Sequence, residues 1–455
     1  MCSASSETEE GTSLMANARK TALQALIRME EQDSYSNLVM QKTLSDAQLS
    51  EADKSLCTAL FYGVIERRIT LDHLIARFSS RKLQKLEPPV RAALRLGLYQ
   101  LLFLDKIPPS AAVNESVKLV QQSGCRSASG FVNGVLRSVQ RALPLERLLE
   151  EIQEETERRS IRYSCPRWLV ELWQNAYPAE AEALLASTVA APAPVIRVNT
   201  LRVSPEELRE TLEERGHTVR PVPGLPAALE VENLRGIERM PEYQTGLFTV
   251  QDASSQLCVR ALLAAPGEQV LDICSAPGGK AFTCAQEMEN KGVIDALDLY
   301  PQKAELIRRG AKRLGLSIIR AGVSDASQYH EEFRLYDRVL CDAPCSGLGV
   351  IRKKPEIKYR DFSSNADLIA LQYRILTNAS RYVKPGGRLI YSTCTLNPAE
   401  NERQVERFLR EHRGFSSGSL PADFPRGGGE AMITLMPQKD GTDGFFIAVL
   451  ERKQV

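Results

Sequence analysis

Beyond residue 265 short β-branched runs alternate with segments of helical period, and no other feature of the chain narrows its fold so far. QVLDIC, GVIDALDL, SIIRAGV, DRVLCDA, RLIYST and GFFIAVLER read as strands. Between them, YPQKAELIRRGAKRLG and ADLIALQYRILTNASRYV repeat apolar residues at helical spacing. Strands separated by helices of this length are joined by crossovers, which makes a mostly parallel, doubly wound sheet. Such sheets bind ligands at the carboxyl ends of their strands. Residues 251–455 are therefore expected to form one Rossmann-like α/β domain.

The rest of the chain follows other periods, and 455 residues exceed one ordinary core, so two or three domains are expected. Residues 1–15 are polar and acidic and read as a disordered tail. Residues 16–141 read as an all-helical domain: Ala22, Leu23, Leu26 and Ile27 share a helix face, as do Phe131, Val132, Val135, Leu136 and Val139. VRAALRLGLYQLLFLD, between them, is apolar nearly all round except at Arg95, as a central helix would be. Residues 145–250 mix a capped helix (Ser204, Pro205, Glu207) with short strands and read as a small α+β domain.

Composition excludes several classes. With 43% hydrophobic and 25% charged residues the chain is an ordinary globular protein, and its most apolar stretch is too short to span a bilayer. Its ten cysteines show no C-x-x-C pair and no even framework, so reduced thiols in a cytoplasmic protein without a membrane partner are expected. A net charge of +1 provides no global field for nucleic acid; any such surface is local, at Arg81–Arg95, Arg308–Gly315 or Ile351–Arg360, each of which also reads as a solvated face.

VLDICSAPGGKAF runs from an apolar strand into a glycine turn that opens a helix. Gly278 and Gly279 let backbone approach a ligand, although a tight strand–helix turn has the same look. Cys274 and Ala281 stand where a phosphate-binding P-loop needs glycine and Ser/Thr. Asp298 ends the next strand at the spacing of a ribose contact. An adenosine-bearing cofactor follows, S-adenosylmethionine rather than a dinucleotide, since G-x-G-x-x-G is missing. Asp325 either faces the adenine or is a solvated turn aspartate.

Most of the cysteines read as core filler: Cys57, Cys125, Cys258, Cys284 and Cys341 sit among helix or strand residues. Cys345 in DAPCSG and Cys394 in STCT differ, because each follows a strand end. NPAENERQVERFL after Cys394 reads as a helix with Asn397 as cap, Pro398 at its first position and Glu400 closing a capping box. Its positive end would favour thiolate over a thiol whose ordinary pKa is about 8.5. Asp342, two residues before Pro344, lies in a rigid turn that can hold a carboxylate against a planar ring. A zinc-deaminase reading needs P-C-x-x-C after His330–Glu332, but Leu348 occupies the last position, so no metal is expected.

Taken together, CSAPGGK, DAPCSG, RKKPEIKYR, STCT with NPAEN, FTVQDASSQ and RVNTLR resemble the Nol/Nop/Sun family of RNA 5-methylcytosine methyltransferases. AALRLGLYQLLFLDKIPPSAAVNESVKL and FVNGVLR resemble the NusB fold, and the pairing resembles the bacterial 16S rRNA methyltransferases acting on cytosine 967. The resemblance implies that Cys394 adds to C6 of the cytosine, that Cys345 helps remove the C5 proton and release the product, and that Asp342 binds the polar edge of the base. It implies cofactor contacts from Cys274, Ser275, Ala276, Pro277, Gly278, Gly279, Lys280, Asp298, Asp325 and Asp342, with a structural cap as the alternative for Lys280. Ser275 and Ala281 replace a more usual alanine and threonine, Leu348 a common threonine, and Ala399 a frequent acid. The implied partner is RNA, as 16S rRNA or a small-subunit assembly intermediate, met by a monomer whose helical and middle domains and stretch 352–360 supply the RNA surface. A tRNA methyltransferase and a non-catalytic ribosome-assembly factor are the alternatives; two retained thiols argue against the second.

Overall fold

The structure, a computed structural model, describes residues 17–32, 36–190, 192–234, 236–360 and 365–454. The chain divides into two units: residues 1–171 with 354–359, and residues 172–353 with 360–455.

The first unit is helical. Helix Pro88–Phe103 has Ala92, Ala93, Leu94, Leu96 and Leu98 buried and lies in the middle of the core, as its all-round apolarity requires. Arg95 is buried there too, because Asp72 takes its guanidinium at 2.6 and 2.9 Å and Glu30 pairs with its other edge. A buried cation persists only when its donors are met in this way. Glu30 also takes Arg91 at 2.7 Å, so Arg91 and Arg95 are engaged inside the unit, while Arg81, Lys82 and Lys85 are exposed.

Segment 354–359 belongs to this helical unit, which the sequence reading did not anticipate. Lys358 is fully buried and donates to the carbonyl of Glu66, at the end of helix Glu51–Glu66, at 2.7 Å. The Tyr359 hydroxyl donates to the carbonyl of Ile65 at 2.8 Å, and Arg68 lies 3.6 Å over the Tyr359 ring. A cation at the last turn satisfies orphan carbonyls and the negative end of the helix dipole. Arg352 and Lys353, in the second unit, are paired with Asp443 at 3.0 and 2.7 Å, and Lys353 with Asp252 at 2.6 Å. Of the cations in 352–360, Arg352, Lys353 and Lys358 are thus engaged within the protein, while Lys354 and Arg360 are exposed.

The second unit carries two sheets. Four antiparallel strands, β1 (Val195–Val198), β2 (Val219–Val222), β3 (Leu225–Val231) and β4 (Phe248–Val250), are arranged in the order β2-β3-β1-β4. The larger sheet contains β5 (Gln269–Asp272), β6 (Val293–Asp298), β7 (Ile319–Val323), β8 (Tyr336–Asp342), β9 (Val383–Thr393), β10 (Phe415–Ser417), β11 (Met432–Leu435) and β12 (Phe445–Arg452). Its order is β10-β12-β9-β8-β5-β6-β7, with β11 also on β12; β5 to β9 are parallel and the β12 side is antiparallel. The doubly wound expectation holds, and only the short β10 and β11 went unread.

Both faces of the large sheet are covered, which explains its nearly unbroken apolar strands. Leu340, Ile390 and Ile447 pack with helices Ala253–Leu262 and Gly279–Glu287 on one face. Their neighbours Val339, Cys341, Leu389, Tyr391 and Phe446 pack with helices Asn365–Arg381 and Glu402–Glu411 on the other. Cys341 is thus core filler, as read.

Replacing Lys358 by methionine should lower the stability of the protein by about 1–3 kcal/mol in urea unfolding, because the Glu66 carbonyl loses its buried ammonium donor while Tyr359 still serves Ile65. The salt dependence of RNA binding should keep its slope; a slope reduced by about 1 would mean that Lys358 meets a phosphate after all.

Candidate active site

The strand order reverses between β5 and β8, so their carboxyl ends open a crevice on which the sequence-predicted residues converge. After β5, Ser275 donates its N–H to Leu297 at 2.8 Å, and Gly278 donates to Ser275 at 2.7 Å. Gly278 has φ +106°, and a Cβ there would strike the Phe282 ring, so glycine is required for the turn itself. Asp298, at the end of β6, accepts from the N–H groups of Ala276 and Tyr300, both at 3.3 Å. Asp325, beyond β7, is held by Ser327 and Gln328 at 2.9 and 3.1 Å, and these donors keep its carboxyl below the usual range.

At the base of this turn lies Asp272, 1% exposed, with no hydrogen-bond partner on either carboxylate oxygen. The Ser275 hydroxyl stands beside it without reaching hydrogen-bond geometry and is itself unpartnered. Burial pushes the Asp272 carboxyl up to about 7. Orphaned polar atoms at a glycine turn, beside an acid ending the next strand, suit a polar nucleoside cofactor carrying an ammonium group.

Lys280 opens the following helix and reaches Asp342 at 2.6 Å, with its ammonium 5.1 Å from the Phe445 ring centroid. Burial opposes its charge, but Asp342 outweighs that and holds the pKa above the usual lysine range. The other Asp342 oxygen accepts from Ser392 at 2.8 Å. Three residues on, Cys345 lies with its sulfur 3.2 Å from that of Cys394, which follows β9. The Cys394 contact and burial push the Cys345 thiol well above its ordinary pKa, with the carboxylates of Glu400 and Asp342 adding to the shift. Two cysteines far apart in sequence thus meet beside a carboxylate fixed by a lysine and a serine.

One local expectation is corrected. The helix after Cys394 begins at Glu402 with Asn401 before it, not at Pro398. Asn397 closes only a short turn, accepting from the N–H of Ala399 at 3.1 Å, and Glu400 points inward rather than capping. Its carboxylate is drawn away by Ser346, whose N–H and hydroxyl it accepts at 2.9 and 2.6 Å. The helix N-terminus therefore lies eight residues beyond Cys394, at Glu402, rather than at Pro398. Among the described residues no group of three or more His, Cys, Asp or Glu is placed to hold a metal, and no helix is long and apolar enough to cross a membrane.

Fold and site together define a methyltransferase of the doubly wound class, with S-adenosylmethionine as its cofactor. Residues 259–451 match the family described as 16S rRNA methyltransferase RsmB/F, residues 16–141 the NusB family, and residues 165–238 the ferredoxin-like domain of RsmF/B-like methyltransferases. The probable ribosomal RNA small subunit methyltransferase B of Bacillus subtilis is 38% identical over 448 residues, covering 96% of this chain and 99% of its own. Ribosomal RNA small subunit methyltransferase B of Klebsiella pneumoniae is 34% identical over 443 residues, with coverages of 96% and 99%. The crystal structure of PH0851 superposes with a TM-score of 0.81 at 28% identity, over 96% of this chain and 100% of that one. A methyltransferase homologue from Pyrococcus horikoshii gives 0.57 at 28% identity, over 66% and 100%. The chain belongs to the RsmB/F family of 16S rRNA methyltransferases, and its substrate is RNA.

Sequence reasoning missed the partners that fix these groups: Ser392 on Asp342, Glu400 under Cys345, and the orphaned Asp272. Glu400 had a signal, its place in NPAEN, but that was read as a cap. Asp272 generates a pH prediction. Its folded pKa lies above the unfolded value of about 3.9, so its contribution to stability is complete below pH about 4 and is lost as pH rises through 7. In urea unfolding of the cofactor-free protein, Asp272→Asn should flatten the decline in stability across that window; an unchanged decline would assign it to other groups.

Proposed function

We propose that this protein methylates C5 of a cytosine in 16S rRNA, the residue at position 967 by family resemblance, through a transient covalent bond from Cys394. The observation that carries this reading is the 3.2 Å approach of the Cys345 and Cys394 sulfurs beside Asp342. Cys394 would bond to C6, sending the C5–C6 π pair to C5 and making that carbon nucleophilic. S-adenosylmethionine supplies the electrophilic methyl group when bound, held by the turn Cys274–Lys280, Asp298 and Asp325, with Asp342 closing the site. Once its sulfur is bonded to C6, Cys394 no longer raises the neighbouring thiol, and Cys345, its own proton lost to solvent, would accept the C5 proton as thiolate. The C–H pair re-forms the double bond, the C6–S bond breaks, and its pair returns to Cys394 as thiolate.

The Asp342 carboxylate, fixed by its lysine and serine contacts, would accept from an N–H of the cytosine edge. The base has to leave its stack to reach thiols recessed behind strand ends. Work would be divided along the chain between an RNA-binding helical part (16–141), a small RNA-binding part (145–250) and the methyltransferase part (251–455).

Cys394→Ala should abolish methyl transfer while sparing cofactor binding. Cys345→Ala should leave an enzyme–RNA adduct, seen as a retarded band on a denaturing gel and absent from the double variant. Near-normal turnover of Cys394→Ala would sink the covalent route. Mapping 5-methylcytosine in the rRNA and tRNA of cells lacking the protein tests the substrate: loss from tRNA alone would overturn it.

A further inference from the structure

Resting on the covalent route above, we propose that Glu400 is a positioning residue that keeps the Cys345 turn in register with Cys394, so that the releasing thiol reaches the C5 proton. Glu400 is fully buried; its charge raises the Cys345 thiol, and its hydrogen bonds hold the groups on either side of that residue.

Four donors converge on its carboxylate. One oxygen accepts from the Ser346 hydroxyl at 2.6 Å and from Asn397 Nδ2 at 3.0 Å. The other accepts from the Ser346 N–H at 2.9 Å and from Gln372 Nε2 at 2.8 Å. Gln372, on helix Asn365–Arg381, gives the second proton of the same nitrogen to the carbonyl of Pro344 at 2.9 Å. Cys345 is therefore gripped on both sides, at the carbonyl before it and at the N–H and hydroxyl after it. Because the Ser346 hydroxyl spends its proton on Glu400, its 2.7 Å contact with Thr395 must be donated by Thr395, the residue after Cys394. The chain Thr395 to Ser346 to Glu400 thus has a fixed direction, and it ties the two thiol-bearing turns together.

Cys394 has other anchors. Gly349 donates to its carbonyl at 3.0 Å, and Asn401 Nδ2 donates to the carbonyl of Thr395 at 2.9 Å while Asn401 Oδ1 accepts from Thr393 at 2.6 Å. Losing Glu400 should therefore loosen Cys345 more than Cys394. Glutamine cannot replace it, since its amide would set two donors against the donors already there.

The test uses the full-length protein with a 16S rRNA transcript, and compares Glu400→Gln, Gln372→Leu, Cys345→Ala and wild type. Glu400→Gln should bind S-adenosylmethionine as wild type does, lose at least about tenfold in kcat with KM for RNA changed less than about threefold, and accumulate the retarded adduct band. Gln372→Leu, which leaves the carboxylate and its other donors, should show the same pattern more weakly and serves if Glu400→Gln does not fold. Wild-type kcat in both variants, or a loss of kcat without adduct in folded, cofactor-binding protein, overturns the assignment. Should Cys345→Ala itself give no adduct, the covalent route fails; adduct from Cys345→Ala but not from Glu400→Gln or Gln372→Leu removes only the role of Glu400.

Discussion

The parallel pairing of β8 with β9 is the constraint on which the site depends. Its register sets Asp342 opposite Ser392 and Cys341 opposite Tyr391, so both strands end at the same level. Ser392 can then reach the Asp342 carboxylate, and the turns beyond the two strands bring Cys345 and Cys394 within 3.2 Å. A slip of one residue would send Asp342 into the apolar face where Cys341 now packs. The apolar residues on both faces of the sheet are what forbid that slip.

Several of the protein's charged groups are each met by more than one partner. Glu400 has four donors, Asp342 an ammonium and a hydroxyl, and Arg95, in the helical unit, two carboxylates. Each would destabilise the fold if left alone, so each specifies the arrangement of its neighbours. Asp272 is the exception. Its two bare oxygens lie where a ligand is expected, and an unsatisfied acid there is consistent with a site whose last partner comes from outside.

The lysines show why motif membership does not reveal a residue's work. Lys358 stands in a basic run that suggests phosphate, yet helix Glu51–Glu66 ends where its ammonium can cap the chain. Lys280 stands in a cofactor turn, yet its ammonium neutralises a carboxylate brought from β8. Glu400 follows a proline in a pattern that suits a capping box, yet Ser346 outbids the helix for it. In all three, the competing partner lies far along the chain and is invisible to local pattern.

The sequence by itself determined the class of fold and the chemistry at stake. Alternation of period dictates crossovers, and crossovers dictate a parallel sheet with its ligands at the strand ends. The glycine pair Gly278 and Gly279 marks a turn from strand to helix, and Cys345 and Cys394 follow strand ends where Cys341 lies within a strand. Tertiary structure alone decided which groups meet. The spacing of Cys345 from Cys394, the charge partners of Asp342, the burial of Lys358 and the inward turn of Glu400 all follow from strand order and register. Those are set by packing summed over many residues, and no single stretch of the chain contains them.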